Sequence, residues 1–415
     1  MNVLWITNIL FPEVSAKLSG QKELKTSGGW LLGASKKLEQ IEGVNLSVAA
    51  ISRLVNKLEV LRGEKITYYI LPYGKGNLHY NNDYESLWKT VKKLASPDIV
   101  HLHGTEYSHG LAYINACGSD RVVVSIQGMK SAYNYYYCGL TKSDIYSHLT
   151  FRDIIKGNII EEQIQFKRQS EYERETIRKI KHIIGRTAWD RANTWAINPQ
   201  VNYYSCNETL REEFYDGLRW SYDNCHKHTI FLSQASYPIK GLHQVLRAMP
   251  LVLRHYPDTQ VRIAGYDITN TEGIRNRLRF TGYGSIIKSL IRNNNLSGHI
   301  TFTGSLNAAE MVQEYLNCNV FICPSSIENS PNSLGEAQIL GTPVIASYVG
   351  GIPDMMKGDE EHLYRFEEVN MLAEMICSVF DDKDKQVDMV EIAKYRHDRD
   401  KNSDRLLEIY QTIIS

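Results

Sequence analysis

Two carboxylates, Glu328 and Glu336, flank the stretch Asn329-Ser-Pro-Asn332-Ser333-Leu334-Gly335. Val320-Phe-Ile-Cys-Pro324 before them reads as a short buried strand. Ser333 to Leu340 reads as a helix whose N-terminus is rich in Ser, Asn and Pro. A helix N-terminus carries unsatisfied N–H groups and a partial positive charge, which suits an anion. Glu328 stands just before that terminus and Glu336 about one turn inside it. One ligand can then have a phosphate, sugar hydroxyls and a ribose held together, and a sugar nucleotide is such a ligand.

Other residues with chemical potential follow strand-like runs. Lys240 lies in Ser233-Gln-Ala-Ser-Tyr-Pro-Ile-Lys240-Gly241, after one run and before a helical stretch, where a lysine sets a point charge on a diphosphate. Gly28 and Gly29 open a helix after the first strand and its loop; paired glycines let backbone approach a ligand and turn amides toward an anion. His101, His103 and Glu106 stand in Asp98-Ile-Val-His-Leu-His-Gly-Thr-Glu, and alternation puts the two imidazoles on one side. No Cys or carboxylate cluster accompanies them, which disfavours a metal. Arg186 and Asp190, in Gly185-Arg-Thr-Ala-Trp-Asp-Arg, read equally as a lining for a site and as a structural pair at a helix start. Tyr135 belongs to the cluster Tyr133-Asn-Tyr-Tyr-Tyr137, suited to sugar rings and equally to packing.

These positions need a scaffold, and the pattern supplies one. Short strand-like runs alternate with helical stretches across the whole chain, as in parallel sheets covered by helices. The 415 residues exceed one compact core and suggest two domains. The polar stretch Tyr215–His228 reads as the boundary, dividing 1–215 from 228–399, with 400–415 returning to the first domain. Two Rossmann-like, doubly wound α/β domains facing a cleft are expected, with ligands beyond the carboxyl ends of the strands. Leu406, Ile409, Tyr410 and Ile413 make an apolar face on the last helical stretch. The segment 154–184 reads as containing a basic amphipathic helix with Ile177, Ile180 and Ile184 on its apolar side.

Composition narrows the function. Apolar content of 43% and charged content of 23% are those of a soluble globular protein. Lys and Arg number 47 against 47 Asp and Glu, so no global field draws the chain to nucleic acid. Seven cysteines without CxxC spacing fit a reducing cytoplasm. The apolar start lacks a basic leader and reads as a first strand, and no run is long enough to span a bilayer. Contact with a membrane is then at most peripheral, at its inner face. The first strand leads into Thr7-Asn-Ile-Leu-Phe-Pro12 instead of a G-x-G-x-x-G loop, which argues against a dinucleotide site.

The string of Glu328, seven residues, Glu336-Ala, then Leu340-Gly-Thr-Pro-Val-Ile-Ala-Ser347 and Gly350-Gly-Ile-Pro353 resembles the donor-site signature of family 4 retaining glycosyltransferases. The resemblance implies the GT-B fold, with the acceptor mostly on the N-terminal domain and the donor mostly on the C-terminal one. It implies sugar transfer from a nucleoside diphosphate sugar to a hydroxyl acceptor, a glycan or lipid-linked molecule of a bacterial surface, without metal or other cofactor. On this reading Lys240, with the helix terminus at Asn332, Ser333 and Leu334, holds the diphosphate. Glu328 holds the sugar, Glu336 the ribose, and His103 contacts the transferred sugar or the acceptor. Gly28 and Gly29 meet the donor phosphates, and Glu106, Tyr135, Arg186 and Asp190 are acceptor-side candidates. The family pattern places an arginine where this chain has Gln234 or Ala235, so one cationic clamp is absent or supplied from elsewhere. A same-fold phosphorylase or epimerase would share the donor site, and a non-catalytic sugar-nucleotide-binding subunit is the contrasting class.

Overall fold

A computed structural model describes residues 1–20, 29–73, 80–381 and 389–415. It comprises two compact α/β units. The first contains Met1–Ala132, Phe166–Arg211 and Arg396–Ser415; the second contains Tyr133–Gln165 and Glu212–Tyr395. This division differs from the one drawn along the sequence in three places, one of them the return to the first unit at Arg396 instead of at 400. Residues 133–165 belong to the second unit because their short helices bond to it: Thr150 Oγ1 donates to Phe280 O at 2.8 Å, and Arg247 pairs with Asp144 at 3.8 Å. The stretch read as a linker is likewise bonded into the second unit. Trp220 N donates to Leu340 O at 2.8 Å and Trp220 Nε1 to Cys318 O at 2.7 Å.

The first unit is built on eight strands: β1 (Asn2–Thr7), β2 (Asn45–Ser52), β3 (Glu59–Arg62), β4 (Thr67–Pro72), β5 (Ile99–His103), β6 (Val122–Ser125), β7 (His182–Gly185) and β8 (Asn202–Ser205). Their order is β3-β4-β2-β1-β5-β6-β7-β8, and every pairing is parallel except β3 with β4. β1, β5 and β6 are buried along nearly their whole length, as strands covered on both faces must be. The antiparallel edge strand β3 carries alternating half-buried and exposed residues and lacks the apolar run that marks its neighbours. The long helix of this region is Ile159–Lys179; Ile180 follows it and Ile184 lies in β7, so these isoleucines do not form one helical face.

The final helix, Arg399–Ile414, packs into the core of the first unit through Leu406, Ile409, Tyr410 and Ile413. Its polar anchor is internal to that core. Trp5 Nε1 donates to the Tyr410 hydroxyl at 2.9 Å, and the same hydroxyl lies 2.5 Å from His101 Nδ1. His101 Nε2 lies 2.6 Å from Ser125 Oγ. Burial pushes the His101 pKa down to about 3, so the ring is neutral, with one nitrogen donating and the other accepting within this chain of partners.

The second unit has six parallel strands: β9 (Thr229–Leu232), β10 (Gln260–Ile263), β11 (Ile300–Phe302), β12 (Val320–Cys323), β13 (Val344–Ser347) and β14 (Leu363–Tyr364), in the order β11-β10-β9-β12-β13-β14. The amphipathic helix Leu242–His255 covers one face with Leu242, Val245, Leu246, Met249 and Val252. Among the described residues, no helix is long and apolar enough to cross a membrane.

Replacing Tyr410 by Phe removes the shared hydroxyl and leaves the buried Trp5 N–H and a His101 nitrogen without their partner. The expected cost is about 1–3 kcal/mol, the range for a buried polar group left unsatisfied. Urea unfolding of the variant checks this, and an unchanged midpoint would show that the anchor contributes nothing to stability.

Candidate functional site

In an open parallel sheet the strand order reverses at one point, and the two loops leaving the strands there diverge and open a ligand site. In the second unit that point lies between β9 and β12. Lys240 ends the turn after β9, in the short 3-10 segment Pro238–Lys240, and Glu328 stands in the loop after β12. The structure brings them together, with Lys240 Nζ 2.5 Å from Glu328 Oε1. Ser325 Oγ donates to the same carboxylate oxygen at 2.9 Å, and the Tyr237 ring lies 5.8 Å from the ammonium. Burial works against the Lys240 charge, but the Glu328 carboxylate outweighs it and holds the pKa above the ordinary lysine value. The lysine is therefore a fixed cation, with one of its three N–H donors held by Glu328.

Two glycines make this convergence possible. Gly241 has φ +71°, and a Cβ there would stand 1.7 Å from Pro324 O. Gly350 has φ +53°, and a Cβ there would stand 1.8 Å from Glu328 O. Gly351 N donates to that carbonyl at 3.0 Å, so the turn after β13 grips the Glu328 backbone. Both positions combine left-handed backbone with a contact that excludes any side chain.

The helix Asn332–Leu340 begins four residues beyond Glu328. Asn332 and Ser333, which open the helix, are half-buried. Leu334 is different: its N–H donates to Pro331 O at 3.0 Å and its side chain is buried. Glu336 is buried one turn in, and Tyr315 donates to Glu336 Oε2 at 3.3 Å and lies 3.0 Å from Ser333 O. Tyr315, Ser325 and Tyr237 escaped the sequence reading. Tyr315 sits at a core position of the helix Ala308–Asn317, and no local signal separates it from packing. Gln234, where the family pattern has an arginine, is exposed, and Ala235 is buried.

Of the first-unit candidates, His103 and Glu106 stand at the end of β5, beside the point between β1 and β5 where the strand order reverses, while Arg186 and Asp190 follow β7. His103 is buried, with its ring 4.5 Å from that of Trp5, 5.7 Å from that of Trp30 and 3.8 Å from that of His101. Its ring nitrogens have no hydrogen-bond partner among the described residues, and burial, then His101, hold its pKa well below the usual value. It is a neutral imidazole beside a cavity also lined by Trp5, Trp30, Arg186 and Glu208. Glu106 accepts from Gly128 N at 2.9 Å and lies 3.4 Å from Asn8 Nδ2. Burial raises its pKa against the pull of those hydrogen bonds and of Lys130 and Arg186.

Arg186 pairs with Glu208 at 2.6 Å and donates to Ile126 O at 2.9 Å. It does not pair through its side chain with Asp190. That carboxylate is fully buried, accepts from Arg186 N at 2.9 Å and from Tyr203, and so serves the local fold without reaching an acceptor. Gly28 lies outside the described residues, and Gly29 is the first residue of the helix Gly29–Leu38. Tyr135 is exposed but belongs to the second unit, and the neighbouring Tyr137 is buried with its hydroxyl on Glu162 at 3.0 Å.

Among the described residues one group, Asp359, Glu361 and His362, has ligand atoms close enough to share a metal ion. It includes none of Lys240, Glu328 or Glu336. Asp359 and His362 already bond to each other at 2.5 Å.

Residues 221–396 match the family model described as Glycosyl transferases group 1. The D-inositol 3-phosphate glycosyltransferase of Corynebacterium urealyticum is 24% identical over 179 residues, 42% of this chain and 41% of that protein. The match thus spans about two fifths of that relative's length. The sucrose-phosphate synthase from Thermosynechococcus elongatus superposes with a TM-score of 0.66 at 15% identity, over 99% of this chain and 98% of that one. HepE from Anabaena, solved in complex with UDP-glucose, superposes with a TM-score of 0.63 at 13% identity, over 99% of each chain. The likeness of these structures shows the fold, the two-unit α/β architecture called GT-B.

A Gly350→Ala variant tests the grip on Glu328. The added Cβ meets Glu328 O and the backbone stays left-handed, so we expect a stability loss of about 1–3 kcal/mol or more. A melting temperature equal to that of the unsubstituted protein would show that the loop can relax without displacing Glu328.

Proposed function

We propose that this chain, whose residues 221–396 match the group 1 glycosyltransferase model, moves a sugar from a nucleoside diphosphate sugar to a hydroxyl acceptor with retention of configuration. The observation that carries the reading is the meeting of Lys240 and Glu328 at the switch point of the second sheet, four residues before a helix N-terminus. Glycosyl transfer needs the charge that grows on the departing diphosphate to be met by groups already in place. Lys240 supplies a permanent cation, and the N-terminus of Asn332–Leu340 adds the partial positive charge of the helix dipole. The Glu328 carboxylate, held by Ser325 and Lys240, accepts from sugar hydroxyls without needing to act as a nucleophile. Glu336, oriented by Tyr315, takes the ribose hydroxyls. The diphosphate itself takes the acceptor proton as the new bond forms on the face the leaving group quits.

His103 fits a contact to the transferred sugar, since a neutral imidazole with unengaged nitrogens can donate and accept without adding charge. Glu106 is an acceptor-side candidate: a carboxyl with a raised pKa can take a proton from a hydroxyl more readily than an ordinary one. The acceptor class follows the family resemblance: a glycan or a lipid-linked molecule of a bacterial surface. The relative named D-inositol 3-phosphate glycosyltransferase and the UDP-glucose complex of HepE are consistent with a nucleotide-sugar donor and a hydroxyl acceptor. On this reading the leaving group is stabilised by protein groups alone, and the protein needs no metal.

Two substitutions separate binding from chemistry. Glu336→Ala should weaken the free nucleoside diphosphate by about 1.5–3 kcal/mol, the scale of a hydrogen bond to a charged group. Lys240→Ala should slow turnover more than it weakens donor binding, because its partner gains charge only as the glycosidic bond breaks. Calorimetry on the two variants, beside steady-state kinetics, reads both; unchanged nucleotide affinity in folded Glu336→Ala would remove that residue from the site.

The reaction class is tested by transfer assays over a panel of UDP-, GDP- and ADP-sugars in excess EDTA, with the product's anomeric configuration read by NMR. Transfer that survives the chelator and keeps the donor configuration is expected. An inverted product, or activity restored only by magnesium or manganese, would overturn the mechanism. Phosphorolysis in place of transfer would point to the same-fold phosphorylase.

A further inference from the structure

Two short helices of the second unit leave large apolar side chains in water. In Phe151–Lys156, Thr150 and Asp153 form a capping box that fixes the first turn. The Asp153 side chain is buried, and a Cβ on Gly282 would meet it at 2.6 Å, so this side of the helix faces protein. Phe151, Ile154 and Ile155, at i, i+3 and i+4, are all exposed, Ile154 by 76%. The helix Gly273–Arg279 packs beside it and buries no residue at all. Its apolar pair at i and i+4, Ile274 and Leu278, is likewise exposed, Ile274 by 79%.

The exposed charges on the two helices themselves are basic, although the exposed carboxylates Glu161 and Glu272 stand beside them. Lys156, Arg275, Arg277 and Arg279 are exposed, while Glu272 is the one carboxylate in 272–281. The chain as a whole has no net charge, so this basicity is local. Single exposed apolar residues are ordinary, but five on two adjoining helices, interleaved with cations, are not. A second copy of this surface would set four cations against four, with fewer neighbouring carboxylates than cations to offset them. A bilayer with anionic headgroups satisfies both features, since apolar side chains enter the acyl boundary and the cations meet phosphates.

We propose that Phe151–Lys156 and Gly273–Arg279 form a docking surface for an anionic phospholipid bilayer. The surface goes beyond the transfer reaction and stands without the donor-site reading, because lipid binding is measured with neither donor nor acceptor present.

The test is sedimentation of the full chain with vesicles of phosphatidylcholine alone or mixed with phosphatidylglycerol. Binding to the anionic vesicles, released by high salt, is expected. Ile154→Glu with Ile274→Glu should lower partitioning about tenfold or more, and Arg275→Gln with Arg277→Gln and Arg279→Gln should abolish the preference for anionic lipid. All these side chains are exposed, so thermal unfolding of the variants should match the unsubstituted protein, and the arginine set remains informative if the isoleucine set does not fold. Absence of vesicle binding by the folded protein, or binding unaltered in both variants, would overturn the proposal. So would light scattering that shows a dimer dissolved by the isoleucine substitutions, which would make the occupant a second copy.

Discussion

The closeness of three backbone turns at the carboxyl end of the second sheet governs the candidate site. The turn after β9 reaches Pro324 O across Gly241, and the turn after β13 reaches Glu328 O across Gly350. Any side chain at either glycine would push the turns apart. Their contact is what sets Lys240 and Glu328 at 2.5 Å, although 88 positions separate them in the chain. Such a pair is weak evidence for stability, because desolvating two charges offsets most of their attraction. Its value lies in holding a cation and an acceptor group in one geometry before any ligand arrives, so that little reorganisation remains for the reaction.

The helix Asn332–Leu340 extends this arrangement. It is buried along most of its length, so Glu336 stands on a rigid element while the half-buried first turn stays accessible. Tyr315 joins the first turn of that helix to its middle by touching both the Ser333 carbonyl and the Glu336 carboxylate. A ligand that uses the helix terminus and Glu336 together would bind a pre-set spacing.

The first unit follows a different logic. Its central polar groups are neutral imidazoles pressed among indoles, and its charged groups are largely committed to the fold: Arg186 to Glu208 and the Ile126 carbonyl, Asp190 to backbone and Tyr203. The last helix belongs to this design, because Tyr410 closes the hydrogen-bond chain from Trp5 to His101 and Ser125. Unlike those of His101, the ring nitrogens of His103 have no such partners among the described residues.

What could be read in the amino-acid order alone was whatever depends on neighbours in the chain. The buried runs that became β1, β9 and β12 were legible because a strand covered on both faces must be apolar over consecutive residues. The apolar face of the last helix was legible from its spacing, and the Glu328–Glu336 string from its similarity to a known pattern. The edge strand β3, without such a run, was not. Nor was the joining of residues 133–165 to the second unit, the burial of Asp190, or the role of Tyr315. Each of these depends on which distant segment packs alongside. Local periodicity encodes backbone form and the face it buries, but a side chain's partner is set by sheet order and close packing, which only the folded chain decides.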